Sequence, residues 1–236
     1  MVNIKLAGIP VQFDNRYPQL ERLCRGYETD EDPRITLSVT QEEIAQERAQ
    51  SQGTFSDGYL ETICLYRKLA LEMLSFDTFV MHASVLSVNG QGYAFLAPSG
   101  TGKTTQTRLW LEHFGDDACV VNGDKPLIRM IPTDGGYQFF AYGTPWCGKE
   151  GMNSNQHVPL RAMFLVQRAP EPSCIPVSTD ISLPLVFRQL LLPKQPQALE
   201  HMLDLADHLL NTVPCWLLRC NMKDESVTAA FDAVNG

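Results

Sequence analysis

Apolar and polar positions alternate in short runs over the first forty residues, at 3–6, 11–13 and 34–39, the last with Ile35, Leu37 and Val39 on one face. Period-two runs between turn signals predict strands. Thr40 followed three residues later by Glu43 is a capping box, and it predicts a helix over 41–51 that Ser51-Gln52-Gly53 closes. From 57 to 75 the period changes: Leu60, Ile63, Cys64, Leu65, Tyr66, Leu69, Leu71, Met73 and Leu74 cover more than one helical face. A helix so broadly apolar packs on two sides. It is the expected hinge between a small N-terminal α+β lobe, residues 1–56, and a larger domain, residues 57–236.

Beyond it the pattern alternates again. Two strand-like runs, 79–88 and 93–96, flank Asn89-Gly90-Gln91-Gly92, a hairpin signal that makes the second strand antiparallel to the first. A helix is expected over 103–113, strands at 118–121, 127–131 and 137–141, and an irregular Gly-rich loop over 142–157. A strand at 162–167, a Pro-rich surface connection over 169–176, helices near 183–191 and 196–212, a strand at 215–220 and a helix at 224–234 complete the chain. The fold class is α/β with a mixed, antiparallel-rich sheet.

Composition narrows the function classes. The 236 residues, 44% hydrophobic and 19% charged, suffice for one sizeable core. No apolar run approaches a membrane span and the first residues do not read as a secretory signal, so no membrane partner is expected and the cytoplasm is the expected location. Seven cysteines without regular spacing argue against a disulfide framework or a zinc site. The net charge is −8, with ten acids against four bases over 21–61, whereas 144–168 carries Lys149, Arg161 and Arg168 against Glu150 alone. Such a balance suits a small phosphorylated ligand rather than a nucleic acid. Association between copies is left open.

The chemistry centres on Ala97-Pro98-Ser99-Gly100-Thr101-Gly102-Lys103-Thr104, which follows the run Tyr93-Ala94-Phe95-Leu96 and precedes a helical pattern. Strand, glycine-rich loop and helix in that order form a P-loop: glycines let successive backbone N–H groups converge on phosphate oxygens, and the helix adds its positive end. Ser99, Gly100, Thr101, Gly102, Lys103, Thr104 and Thr105 are the expected nucleotide contacts. Lys103 reaches the β/γ-phosphates and the Thr104 hydroxyl ligates Mg²⁺. Ala97 departs from the consensus, which opens with Gly.

Asp124 lies some twenty residues on, at the end of an apolar strand, where a carboxylate can meet the same Mg²⁺; a turn-forming Asp is the alternative. His82, in the middle of the strand that the hairpin folds beside the loop, either points at the phosphates or is a satisfied core residue. The loop Gly143-Thr144-Pro145-Trp146-Cys147-Gly148-Lys149-Glu150-Gly151 reads as a binding loop, with Lys149 supplying charge to a transition state and Trp146 either stacking on a ligand or anchoring the loop. His201 and His208 are assigned no role.

A strand His, a Gly-flanked hairpin, Ser-Gly-Thr-Gly-Lys-Thr and a downstream acidic turn, from about Phe79 to Arg129, together resemble the catalytic domain of HPr kinase/phosphorylase and, more distantly, the P-loop core of ATP-dependent phosphoenolpyruvate carboxykinase. The Gly143–Lys149 loop and the tail Val213–Met222 resemble HPr-kinase-related proteins over most of the chain. The resemblance implies an antiparallel-rich P-loop core, ATP and Mg²⁺ held by Lys103 and Thr104, and an Asp pair dividing base and metal roles. One of that pair is missing here: Gly123 or Lys125 stands in its place, depending on the alignment. The expected function is Mg-ATP-dependent transfer of phosphate to a hydroxyl of a peptide, protein or small molecule. A nucleotide-binding pseudokinase and a metabolic small-molecule kinase are the alternatives.

Overall fold

The computed structural model describes all 236 residues. The chain opens with β1 (Val2–Leu6) and β2 (Ile9–Asp14), an antiparallel hairpin. Its two turn residues, Ala7 and Gly8, both have positive φ (49° and 76°), the arrangement that matches the twist of paired strands. After the short helix α1 (Gln19–Leu23), β3 (Ile35–Ser38) adds parallel to β2 and completes a three-stranded sheet. Helix α2 (Gln41–Gln50) starts at the capping box: Glu43 N–H donates to Thr40 Oγ1 and Thr40 N–H to the Glu43 carboxylate.

Helix α3 (Asp57–Glu72), capped by Ser56, runs into a 3₁₀ turn at Met73–Phe76. It is gripped on both sides, as its apolar breadth predicts. One cluster of buried side chains extends from Ile4, Val11 and Phe13 through Leu60, Leu65 and Leu69 to Val80, Leu127 and Trp146. Glu61 is fully buried within α3, and its carboxylate accepts from the backbone N–H groups of Arg16 and Tyr17 at 2.7 and 3.2 Å, so the burial of a charge is offset by hydrogen bonds.

The remaining elements are β4 (Thr78–Val80), β5 (Ala83–Val88), β6 (Gln91–Leu96), α4 (Lys103–Phe114), β7 (Ala118–Asn122), β8 (Leu127–Thr133), β9 (Gly136–Tyr142), β10 (His157–Arg168), β11 (Ser173–Pro176), α5 (Thr179–Phe187), α6 (Pro196–Thr212), β12 (Cys215–Cys220) and α7 (Glu225–Asn235). Nine strands form one mixed sheet in the order β4-β8-β9-β10-β6-β5-β7, with β12 also on β10 and β11 on β12. Strands β5 and β6 form the expected antiparallel hairpin around Asn89 and Gly90, both at positive φ. Strand β10 holds the sheet together: its first residues pair antiparallel with β9, and the rest runs parallel to β6 and β12. The ends of β6, β10 and β12 therefore lie on one edge of the sheet.

Side chains alternate across the sheet. Val85, Ala94 and Leu96 face a core shared with Met202, Leu205 and Leu209 of α6, while Leu86, Tyr93 and Phe95 face Trp110 of α4 and Val227 of α7. No helix is long and apolar enough to cross a membrane.

Several expected boundaries fail: β10 begins at His157, five residues before the strand expected at 162–167, α1 has no counterpart among the expected elements, and three further differences bear on the site or its surroundings. The run 79–88 is two strands: β4 pairs with β8, and β5 with β6 and β7, so the chain leaves one part of the sheet order for another at Met81 and His82. His82 is therefore at a strand break rather than mid-strand. The connection over 169–176 contains β11, which pairs with β12. The helix expected at 183–191 starts earlier, at Thr179, with Pro184 inside it.

Candidate functional site

Strand β6 delivers the chain to the Ala97–Thr104 loop and α4 carries it away. Gly100 and Gly102 have φ of +78° and +133°, and nothing lies within 4 Å of where a Cβ would stand on either. Glycine is needed there for backbone angle, not for space. Ala97 is absent from the positive-φ positions, so the departure from Gly carries no backbone strain. Lys103, only 7% exposed, donates from Nζ to Ala97 O at 2.7 Å. Burial holds its ammonium below the ordinary 10.5, against the pull of Asp124 and with the push of Lys125. Thr107 binds α4 to β5 through Ser84 Oγ at 2.7 Å, and Arg168 donates to Gly100 O and Thr101 O at 2.5 and 2.9 Å.

The turn after β7 is shaped by Asn122, fully buried, whose Oδ1 accepts from the backbone N–H groups of Asp124 and Lys125 at 2.9 and 2.7 Å. This Asx turn relieves Asp124 of any turn-making duty and leaves its carboxylate free to face the site. There Oδ1 lies 3.2 Å from His82 Nε2, and Lys125 Nζ is bonded to Oδ2. Burial on its own pushes the Asp124 carboxyl up; the hydrogen bonds and charges of His82 and Lys125 outweigh it and bring the pKa from 3.8 to about 2. Asp124 is thus a carboxylate at any physiological pH.

His82 is pinned from three directions. Its backbone N–H donates to Gln189 O at 2.7 Å, its Nδ1 faces Gln189 Oε1 at 3.1 Å, and its Nε2 lies 3.3 Å from Lys103 Nζ. A hydrogen on Nδ1, donated to Gln189, leaves Nε2 of the neutral ring bare toward Lys103 and Asp124; the hydrogen bond that Nε2 gives Asp124 belongs to the protonated ring. Histidine, lysine and aspartate meet because β4 crosses to β5 where β7 ends: Ala83 N–H donates to Asp124 O at 3.0 Å.

The Tyr142–His157 loop arches over this turn. Trp146 is buried, stacks on Tyr66 of α3 (4.3 Å between centroids, 15°) and donates from Nε1 to Thr62 O at 3.0 Å. It is an anchor and not a stacking platform. Asn122 Nδ2 donates to Thr144 O at 3.0 Å, Gly123 N–H to Met152 O at 2.8 Å, and Glu150 pairs with Arg108 of α4 at 2.6 Å. Gly148 approaches Asp124 so closely that a Cβ there would lie 3.0 Å from the Asp124 Cβ. Lys149 is exposed between these two fixed residues. A Cβ on Gly123 would stand 3.2 Å from both Cys147 O and Met152 O, so the place where the resemblance sets a second Asp is walled by carbonyl oxygens.

No group of three or more His, Cys, Asp or Glu side chains is arranged to hold a metal by itself. The donor set fits Mg²⁺ brought with a nucleotide, since that ion takes one or two carboxylates and completes its shell with phosphate and water oxygens. Asp124, its carboxylate turned to His82 beside Lys103, is one such donor. All seven cysteines are free, and burial raises the thiols of Cys24 and Cys174 to about 12 and Cys215 to about 11, so these three are poor nucleophiles.

Asn122, Gln189 and Arg168 have functional positions that sequence reasoning missed. Asn122 carried a turn signal without a role, Arg168 counted only as one charge of the basic 144–168 segment, and Gln189 carried no signal, because the last two act through contacts far along the chain. Compared with known proteins, the chain finds no match among protein-family models and none among curated proteins.

Proposed function

We propose that the chain is a Mg-ATP-dependent phosphotransferase with a P-loop core of the HPr-kinase/phosphoenolpyruvate-carboxykinase type, acting on a hydroxyl group of a peptide, protein or small molecule. The observation that carries this is the meeting of Lys103, His82 and Asp124 at the loop, with His82 Nε2 3.3 Å from the ammonium and 3.2 Å from the carboxylate. A desolvated ammonium gains most from a phosphate anion, because the charge is already out of water and the Asp124 carboxylate matches it only in part. When magnesium comes with the nucleotide, Thr104 and Asp124 would hold it, and it neutralises charge on the phosphate oxygens.

The chain's own residues then divide the work. His82, with Nδ1–H held by Gln189, accepts the hydroxyl proton at Nε2 as the acceptor oxygen bonds to the γ-phosphorus and ADP leaves. Asp124 offsets the imidazolium charge so formed. A loose phosphoryl-transfer transition state releases that proton late, so one carboxylate and one imidazole suffice in place of a carboxylate pair.

A non-catalytic nucleotide-binding role is the second reading. It is favoured by the ammonium of Lys125 on Asp124 Oδ2, where a second carboxylate is expected from the resemblance. The two readings separate on ADP release measured with free serine and serine-containing peptides as acceptors. The Asp124→Asn variant should lose turnover by about 100-fold, with Mg²⁺-free nucleotide affinity changed less than about threefold. Tight ATP binding by the wild type without turnover on any acceptor would leave the non-catalytic role. Undiminished Mg²⁺ dependence in Asp124→Asn would take Asp124 out of the metal site.

A further inference from the structure

A cleft of about 490 Å³ opens beside the Ala97–Thr104 loop, where β6, β10 and β12 end. Gly102, Thr105 and Gln106 form one wall, Arg168 and Pro170 the second, and Met222 the outer edge. His82, Lys103 and Asp124 do not line it. The loop therefore has two neighbours, a cluster of charges around the Lys103 ammonium and a cleft reached past Thr105 in which Arg168 is the one charged lining residue. We propose that this cleft takes the ribose and the base of the nucleotide whose phosphates lie on the loop, and that Gln106 makes it selective for a 6-aminopurine. The inference rests on the phosphate-binding reading given above.

Gln106 carries the argument. It is 1% exposed, and its Nε2 donates to Asn221 O at 3.1 Å. A backbone carbonyl only accepts, so the amide nitrogen must be the atom facing it, and Oε1 is left over. That oxygen has no hydrogen-bond partner in the protein and is covered in this conformation, so a ligand in the cleft that Gln106 lines reaches it through a small turn of the amide. A buried carbonyl without a partner costs free energy that an N–H donor on a ligand restores. The exocyclic amine of adenine is such a donor. The 6-oxo group of guanine or hypoxanthine sets an acceptor against an acceptor.

The surrounding groups are already committed and do not compete. Asn221 donates from Nδ2 to Pro170 O at 3.0 Å, while its Oδ1 accepts from Lys223 N and from Ser226 Oγ at 2.9 Å each. Arg168 spends its Nε and one terminal nitrogen on the loop carbonyls. Apolar surface comes from Ala169 and Pro170 on one wall and Met222, 79% exposed, at the rim, beside the second terminal nitrogen of Arg168 and the hydroxyls of Thr101 and Thr105. A flat ring covers those surfaces, and the volume suits a small organic ligand. Thr105, at the first turn of α4, offers a hydroxyl on the path between phosphates and base.

The test is calorimetry on the full chain with ATP, ITP and inorganic tripolyphosphate, for the wild type and for Gln106→Met and Ala169→Trp. Wild type should prefer ATP to ITP by about tenfold, the worth of one buried hydrogen bond. Gln106→Met should bring that ratio to about one, and Ala169→Trp, which fills the cleft, should weaken ATP by about tenfold or more. Tripolyphosphate affinity within about twofold of wild type in both variants would show that fold and phosphate site persist. Equal wild-type affinity for ATP and ITP, a preference that survives Gln106→Met, or unchanged ATP binding by Ala169→Trp would overturn the inference and leave the phosphate site standing. Failure of the wild type to bind either ATP or tripolyphosphate would overturn the phosphate reading, and the inference with it.

Discussion

The Ala97–Thr104 loop and the Tyr142–His157 loop border the same carboxylate, and they get their shapes by opposite means. The first reaches Asp124 through Lys103 and His82; the second presses Gly148 against the Asp124 side chain. In the first, form follows mainly from two glycines at positive φ between a strand and a helix, with Arg168 adding one distant tie to the Gly100 and Thr101 carbonyls, so most of the instructions lie within eight consecutive residues. In the second, no local rule sets the path. Trp146 is held by α3, Thr144 by Asn122, Glu150 by α4 and Met152 by the Gly123 amide. A phosphate site can be written locally because backbone N–H groups do the binding, whereas a carboxylate aimed at a distant histidine has to be held by the fold.

The comparison breaks hardest at Trp146. Trp146→Ala removes a buried ring stacked on Tyr66 together with its hydrogen bond to Thr62 O, and should cost about 3–5 kcal/mol in urea unfolding. A loss under about 1 kcal/mol would mean that other contacts hold the arch. On the local side, Lys103→Ala should weaken nucleotide binding by about 100-fold, about 3 kcal/mol. Stability should change little, since the ammonium is already held below its ordinary pKa by burial. Unchanged calorimetric affinity in the folded variant would remove the loop from nucleotide binding.

Legibility in the sequence follows the same division. The capping box at Thr40 and Glu43, the Asn89-Gly90 hairpin and the start of α4 at Lys103 were readable because each is decided by residues within a few positions of one another. The break at His82 was not. Met81 and His82 look like strand by composition, and the chain leaves β4 for β5 there because their backbone N–H groups bond to Pro126 O and Gln189 O. Those partners lie about forty and a hundred residues away, and no period in the sequence marks them. Asp124 was legible as a carboxylate at a strand end. Its freedom from turn-making was not, since that depends on Asn122 being buried against Thr144.

Gly123→Asp probes whether the arch has closed off the second carboxylate. A Cβ at 3.2 Å from two carbonyl oxygens needs one of them to give by a few tenths of an ångström, and the carboxylate it carries starts beside those oxygens. The variant should lose about 1–3 kcal/mol of stability and gain no turnover, as thermal unfolding and ADP release would show. Activity appearing in Gly123→Asp on a wild type that binds Mg-ATP without turning it over would establish the non-catalytic reading.

The smallest effect belongs to Lys149, and it sharpens the comparison because it tests what the arch is for. Its neighbours are fixed, Gly148 by Asp124 and Glu150 by Arg108, yet Lys149 itself is exposed. A flexible ammonium on a rigid loop contributes little to folding, so Lys149→Ala should leave stability within about 0.5 kcal/mol of wild type. If its charge serves the phosphate being transferred, turnover should fall about fivefold at low salt, about 1 kcal/mol. The deficit should shrink at high salt, where an exposed charge is screened in the wild type as well. A deficit that ignores salt would point to the loop's path instead of its charge, and no deficit at low salt would leave Lys149 outside the reaction.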